Sequence, residues 1–483
     1  MPAYDVVVVG HGIAGLSAGI TAAEANADTA ILEKSPKDER GGHSRFAGAT
    51  MRFPMENPER LRDRLDMNNA PDRYPESDFR ADLHRVTRDE VDPDLLDVFA
   101  SEAVEAIEWL HDHGVAFQVH HQVGERDEVN PLKSEGRGER LQAVGEGEAV
   151  VEALSAAAEE ADVDLHYERE VQELRSDDGT IVGVEASTPD GPVEYDAGAV
   201  ILAAGSYVSN PEKRTRYFGR RGDQLTVRGS KHNRGEALDA ALDAGAQADG
   251  QWGGAHIVLL DANAPDIEGG RTRINGYQYG LILNENGDRF VDEGEDVLAK
   301  TYAKFGERAY EQPGQCAFVV YDSSVAEFVN SQMDSEPLKF DSLEGLLSGV
   351  DLDGQQFRDV DNALETIKEY NESVQSGGFD PTELDGKHTT GLTPPKSNWA
   401  VKVDEPPFYC YPVKPGITFA FGGVSISTEA EVIDSMGNTI DGLWAAGNST
   451  SGIFYHNYAA GSAQTRGAVF GRIAGRNAAN HIA

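Results

Sequence analysis

Four consecutive valines, Val6–Val9, form an apolar run that stops abruptly at Gly10-His11-Gly12-Ile13-Ala14-Gly15. An unbroken apolar run of this kind suits a parallel strand buried on both faces, and the small residues after Gly12 predict a helix beginning near Ile13. A second short run, Thr29-Ala30-Ile31-Leu32, ends at the acid Glu33. Residues 51–140 are polar and charge-rich, with helical periodicity from Leu95 to His113. Gly145 opens an amphipathic helix through Ala158. A strand pair follows, near Asp164–Leu174 and Ile181–Ser187, around a turn at Asp177-Asp178-Gly179. Val200-Ile201-Leu202 reads as another buried strand, and it passes into Ala203, Ala204 and Gly205, small residues that let backbone lie close to a bound group. From Gln251 to Pro407 the pattern loosens into polar segments, several glycines and loop-like stretches such as Ser376–Asp380. After Pro407 the earlier pattern resumes and leads to Gly442-Leu443-Trp444-Ala445-Ala446-Gly447.

The glycines of the first stretch have separate tasks. Gly10 permits a tight turn, Gly12 lets backbone approach a pyrophosphate, and Gly15 lets helix and strand pack closely. The helix then offers free N–H groups and its positive dipole end to phosphates, and Glu33 at the end of the second strand accepts ribose hydroxyls. Strand, helix, second strand and acid in register read as a dinucleotide site. Joined with the Gly442–Gly447 stretch near the other end of the chain, they read as FAD. The expected fold class is α/β, a discontinuous Rossmann-like FAD-binding domain with an inserted α+β capping domain. Residues 1–250 form its first part, with 51–140 as a mostly helical insertion; 251–407 form the capping domain and 408–483 the second part.

Composition narrows the partners. Lys+Arg number 42 and Asp+Glu 83, a net charge of −41 spread along the whole chain. Such a surface repels nucleic acid and anionic membranes, and it suits a cytosol of very high salt, where screening acts within a few ångströms. Cys316 and Cys410 form neither a metal-binding pattern nor a disulfide framework, and no metal is expected. No apolar run approaches the roughly 18 residues that span a bilayer, and no signal peptide precedes Val6. The expectation is a soluble, cytoplasmic protein without membrane insertion.

At this point the residues resemble a known family, the flavoprotein subunits of fumarate reductase and succinate dehydrogenase, with 3-ketosteroid dehydrogenases as relatives and tricarballylate dehydrogenase as the nearest likeness. The resemblance runs over essentially the whole length. It rests on Gly41-Gly42-His43-Ser44-Arg45-Phe46, on Asp288-Arg289-Phe290-Val291-Asp292-Glu293-Gly294, on Thr301-Tyr302-Ala303-Lys304, on Pro406-Pro407-Phe408-Tyr409 with Gly416-Ile417-Thr418-Phe419, and above all on Phe454-Tyr455-His456-Asn457-Tyr458. It implies hydride transfer between the flavin and a carbon beside a carboxylate or carbonyl, making or removing a C=C bond, with protein groups positioning the substrate and moving a proton. It also implies cofactor contacts at Gly10, Gly12, Ile13, Ala14, Gly15, Glu33, Lys34, Gly42, His43, Ser44, Gly48, Ala49, Val171, Ala203, Ala204, Gly205, Gly447, Asn448, Gly461 and Ser462. A helix beginning near Gly461-Ser462 would aim its N-terminus at the charge developing on the reduced flavin. His43 stands close to where relatives with covalent flavin carry the linking histidine; a polar contact is the preferred reading. Asn448 stands where many relatives have an acid.

The same resemblance names catalytic candidates. His256 matches a histidine that binds a substrate carboxylate, and Arg273, with Arg271 two residues earlier, offers a guanidinium fork for the same task. Fumarate reductases carry a proton-donating arginine shortly after the equivalent of Asp292-Glu293, but here that place falls to Val297 and Leu298, which cannot move a proton. A substrate-binding histidine becomes Phe419 and an arginine becomes Tyr458. These three changes speak against fumarate itself. Tyr458 matches a tyrosine of ketosteroid dehydrogenases whose hydroxyl polarises a carbonyl, and a phenol also serves as acid or base. His456 stands two residues earlier, and Tyr302, Lys304 and Lys300 are alternative proton carriers. The leading expectation is a tricarballylate-like dehydrogenase or reductase of a small organic acid. The alternatives are an enone or ketosteroid-like dehydrogenase, a flavin-dependent biosynthetic oxidoreductase, and a non-catalytic electron-transfer subunit. The electron acceptor or donor is unidentified.

Overall fold

The computed structural model describes residues 2–120, 140–265, 273–331, 335–351 and 354–483. They fall into two compact units, one of Met1–His120, Gly138–Ala255 and Thr418–Ala483, and one whose described part is His256–Ile417.

The first unit begins with β1 (Ala3–Val9), α1 (Ile13–Glu24) and β2 (Thr29–Leu32). The valines of β1 are buried, as a central strand requires. Three helices follow, α2 (Pro58–Arg64), α3 (Glu76–Thr87) and α4 (Pro93–Asp112). Asp92 caps α4, accepting the N–H groups of Asp94 and Leu95, and Pro93 occupies the first helical position, where a missing N–H costs nothing. After α5 (Glu146–Glu160) come β3 (Asp164–His166), β4 (Glu170–Asp177), β5 (Thr180–Thr188) and β6 (Gly191–Leu202).

The expected single strand Asp164–Leu174 is therefore two. β3 extends the parallel sheet beside β2, whereas β4 pairs antiparallel with β5. The chain changes partner between them, and Glu168 takes a left-handed conformation there, with φ 56°. The β4–β5 turn is Asp178-Gly179, both at positive φ (48° and 90°), the two-residue geometry whose twist matches flanking strands.

The described part of the second unit holds β7 (Ala255–Asp261, its first residue belonging to the first unit), β8 (Leu281–Leu283), α6 (Leu298–Tyr310), β9 (Ala317–Asp322), α7 (Val360–Ser373) and β10 (Phe408–Ala420, its residues from Thr418 belonging to the first unit). β8, β9 and β10 pair antiparallel in that order, with Leu283 opposite Phe318 and Val319 opposite Tyr411. Leu281, Leu283, Phe318, Val320, Leu346, Ile367 and Tyr370 pack into one core with Cys316 and Cys410, both free thiols. The Asp288–Gly294 stretch builds this unit. Arg289 grips the buried Glu293 through a two-point fork at 3.0 and 2.5 Å, and Ile282 N–H donates to the same carboxylate. Burial works against the charge on Glu293, but Arg289 holds its carboxyl below the usual range.

The chain re-enters the first unit at Thr418 and continues through β11 (Glu431–Ile433), β12 (Thr439–Ala445) and α8 (Ser462–Ile482). The main sheet then runs β11-β12-β6-β1-β2-β3, parallel from β12 to β3, with the β4–β5 hairpin attached to β6. α8 lies against α1 at backbone distance. A Cβ added at Gly471 would stand 2.4 Å from Ala14 O, and one at Gly475 would stand 2.2 Å from Ala18 O. Among the described residues no helix is long and apolar enough to cross a membrane.

Candidate active site

The carboxyl ends of β1, β2 and β6 open into a cleft within the first unit. Its floor is Gly10-His11-Gly12-Ile13-Ala14, and Ala203, Ala204, Gly205, Gly447 and Asn448 wall it from the neighbouring strands. The close backbone approach is real: a Cβ at Gly10 would stand 2.5 Å from Ala203 O, and one at Gly15 1.9 Å from Gly10 O. Ile13 N–H, at the start of α1, donates to Ser44 Oγ (3.0 Å), and Ser44 itself faces the cleft. The other first-turn N–H groups and the helix dipole favour an anion.

Glu33 is held for one purpose. Its Oε2 accepts the N–H of His11 (3.0 Å) and its Oε1 that of Ser35 (2.8 Å), which leaves the remaining lone pairs for a diol. An amide has one acceptor oxygen, so Glu33→Gln turns an NH₂ toward a backbone donor and leaves it unpaired at about 1–3 kcal/mol. That substitution should weaken FAD binding about tenfold or more, as read by flavin fluorescence during dilution. Unchanged retention would remove Glu33 from the site.

Lys34, Gly42, His43 and Val171 also line the cleft. His43 Nδ1 lies 3.1 Å from Asn233 Nδ2, and burial, helped by Arg228, lowers the imidazole to about 3, so it is neutral. Gly15, Gly48, Ala49, Gly461 and Ser462 do not line the cleft. Gly15 is spent on packing, Ala49 O accepts the N–H of Ala143, and Gly461 caps α8 with its Cα against Arg52. Several cleft residues carry no motif that sequence reading could catch: Arg169, Glu170, His232, Asn233, Gly235 and Glu236. Arg169 and Glu170 adjoin Val171, and that adjacency was the one available signal. Lys34 is held by Glu170 (2.8 Å) and Glu236 (2.6 Å).

Tyr458 sits in the first unit just before α8, with its ring buried. Its hydroxyl oxygen accepts the N–H groups of Gly461 (2.9 Å) and Ala463 (3.3 Å). Phe419 and Phe454 meet its ring edge-on, with centroids 5.4 and 5.3 Å away, and Phe421 packs on both phenylalanines. Burial raises the Tyr458 hydroxyl above its ordinary range, while the Ala463 and Gly461 N–H groups, Arg52 and Arg140 pull it back. His456, at φ 61°, is engaged elsewhere. Its Nε2 lies 2.7 Å from Glu90 Oε1, and its backbone N–H donates to Gln251 Oε1 at 2.8 Å. Arg466, which no motif announced, is buried beside this group; its Nη2 donates to Gly447 O (2.7 Å) and Asn448 Oδ1 (2.9 Å), and its guanidinium lies over the Phe454 ring.

In the second unit the structure gathers His256, Tyr302 and Arg273. The His256 imidazole on β7 meets the Tyr302 ring edge-on at 5.0 Å, and the Arg273 guanidinium lies over the same ring at 5.0 Å. Arg273 Nε donates to Asn275 Oδ1 (3.0 Å). Arg271 lies outside the described residues. Val297 is the N-cap of α6 and Leu298 is buried. Lys304 pairs with Glu295. Among the described residues no group of His, Cys, Asp and Glu is arranged to hold a metal.

A dinucleotide thus has a phosphate-facing helix end, a diol acceptor and a backbone-walled cleft. The family model described as FAD binding domain matches residues 5–464. The chain belongs to this FAD-binding family. It holds FAD and is an FAD-dependent oxidoreductase of mixed α/β fold. A probable fumarate reductase of Shewanella frigidimarina, Ifc3, is 28% identical over 495 residues, 99% of this chain and 75% of that protein. The vinyl phenol reductase of Lactiplantibacillus plantarum is 28% identical over 532 residues, 99% of this chain and 97% of the relative. In structure, a 3-ketosteroid Δ1-dehydrogenase from Sterolibacterium denitrificans superposes with a TM-score of 0.75 at 19% identity, covering 99% of this chain and 100% of that one. This last likeness concerns the fold.

Proposed function

We propose that the protein makes or removes a C=C bond beside a carboxylate in a small organic acid, tricarballylate-like in substrate class. The relatives support the reaction class, since both curated ones are named as reductases and one as a fumarate reductase. The observation that carries the substrate class is the His256–Tyr302–Arg273 cluster. A guanidinium fixed over a tyrosine ring is oriented before any anion arrives, which lowers the cost of binding a carboxylate. His256 adds a second polar contact. Bound FAD supplies the two-electron hydride chemistry that no side chain provides. Gly10–Ala14, Glu33 and the Ala203–Gly205 wall hold it. Tyr458 is assigned the proton: its oxygen is fixed by two backbone donors, so its O–H points to a defined place. The charge of −41 fits work at high salt in a cytoplasm.

A second reading has its own support. Phe419, Phe421 and Phe454 around Tyr458 form an apolar box with one hydroxyl, which suits an enone or aryl-conjugated C=C. Titrating the bound flavin in molar KCl with tricarballylate, fumarate and a steroid enone separates the two. A spectral response to the carboxylates supports the first, and a response to the enone alone replaces it with the second. For a carboxylate substrate, His256→Ala should raise KM about tenfold, the worth of a hydrogen bond to a charged group, with kcat little changed. If KM stays put, His256 has no part in carboxylate binding.

A further inference from the structure

We propose that Arg52 is a positioning residue for Tyr458, fixing the loop that carries the tyrosine and supplying part of the positive field at its hydroxyl oxygen. The inference rests on the reading of Tyr458 as the proton carrier. Arg52 follows the two-residue strand Thr50–Met51, which pairs antiparallel with Leu141–Ala143, so its backbone is anchored before the loop is considered. Its own N–H donates to Gly461 O (3.1 Å) and its Nε to Ala460 O (2.8 Å). One residue thereby holds two consecutive carbonyls immediately ahead of α8.

The far side of the guanidinium is fixed as well. Nη1 donates to Tyr74 Oη (3.1 Å), the Tyr74 hydroxyl donates to Asp82 Oδ2 (2.8 Å), and Asp82 lies 3.6 Å from Nη1. The guanidinium also lies over the Tyr74 ring at 5.3 Å. Arg52 is 2% exposed, so water does not screen these contacts.

Gly461 links this strut to the tyrosine. The carbonyl of Gly461 is held by Arg52, and its N–H is one of the two donors to Tyr458 Oη. A Cβ at Gly461 would stand 3.1 Å from Arg52 N, so the two backbones are already in contact. The loop cannot drift without moving the hydroxyl's donors. Arg52 and Arg140 act electrostatically on the hydroxyl, both favouring its ionised form, and Arg466 on α8 interacts with the same tyrosine. Lysine brings the charge but not the planar fork that reaches Ala460 and Tyr74 together.

The test reads Tyr458 directly. Tyr458 is replaced by 3-fluorotyrosine, and its fluorine resonance is followed against pH in the flavin-loaded protein with Arg52 intact, Arg52→Lys and Arg52→Ala. The alanine variant should move the ionisation midpoint to higher pH by about 0.5 unit or more, because a cation near a phenolate favours it. The lysine variant should hold the midpoint near wild type. In parallel, turnover of tricarballylate with a dye acceptor should fall several-fold in kcat in the lysine variant with KM unchanged. A midpoint in Arg52→Ala that matches wild type overturns the inference. If the alanine chain does not fold, a lysine variant with wild-type kcat overturns it instead. Loss of the Tyr458 reading has a different signature: Tyr458→Phe turns over normally while the fluorine midpoint still responds to Arg52.

Discussion

Gly15→Ala should yield a chain that has lost most of its flavin. The added methyl would stand 1.9 Å from Gly10 O, 2.9 Å from Gly10 C and 3.4 Å from Ala203 Cβ. The first two are backbone atoms of the turn between β1 and α1, so no side chain can swing aside. Gly10 cannot retreat, because its Cα faces Ala203 O and its φ of 110° is available only to glycine at low cost. The strain is relieved by lifting α1 off β1, at about 1–3 kcal/mol for overpacking. That movement displaces the first-turn N–H groups and the Ser44–Ile13 contact that shape the phosphate end of the cleft. The flavin-to-protein ratio after gel filtration should drop about tenfold, and a given concentration of added FAD should raise Tm less than in the parent, since ligand stabilisation follows occupancy. A variant that keeps stoichiometric flavin and an unchanged Tm would show that Gly15 does not set the helix–strand spacing.

The same local logic explains what could be read in advance. β1, α1, β2 and Glu33 were legible because turn, helix end and acid are fixed by neighbouring residues, and Gly10, Gly12 and Glu33 line one cleft. The turn at Asp178-Gly179 was legible because positive φ at two adjacent positions needs such residues. The pattern over Asp164–Leu174 reads as one strand because a change of pairing partner is a tertiary event that leaves the residue pattern intact. Residues from Gln251 to Pro407 read as loose and polar, yet β8 and β9 within them are wholly buried. Their strands have three and six residues, too short for a period to show. Arg52, Asn233 and Arg466 escaped notice for another reason. Each is a polar residue without a motif; the fold brings Arg52 to Ala460 and Asn233 to His43 from far along the chain, and Arg466 reaches back from α8 to Gly447 and Asn448. His456 shows the converse: adjacency to Tyr458 suggested shared work, but its imidazole is engaged with Glu90.

Tyr458→Phe should cut turnover about tenfold or more while FAD stays bound, the usual size of a lost acid or base. Two effects must be separated. The first is structural: Gly461 and Ala463 N–H lose their acceptor at the start of α8, a cost of about 1–3 kcal/mol for buried donors. That loss lowers Tm by a few degrees and leaves kcat alone if the hydroxyl is only a cap. The second is chemical and appears in kcat at constant flavin content. The pH dependence gives an independent sign. Burial raises the folded hydroxyl above the ordinary 10.0, with the two N–H donors and Arg52 and Arg140 opposing, so the protonated form favours the fold. That contribution is fully present below pH 10 and is lost as pH rises through the folded value. The phenylalanine variant lacks it, so its stability should fall less steeply on the alkaline side than that of the parent. At neutral pH the hydroxyl is protonated and stands ready as a donor, so reductive turnover should be flat up to the same alkaline region and fall beyond it. A variant with reduced Tm but unaltered kcat across that range would leave Tyr458 a helix cap and move the proton to Tyr302 or Lys300.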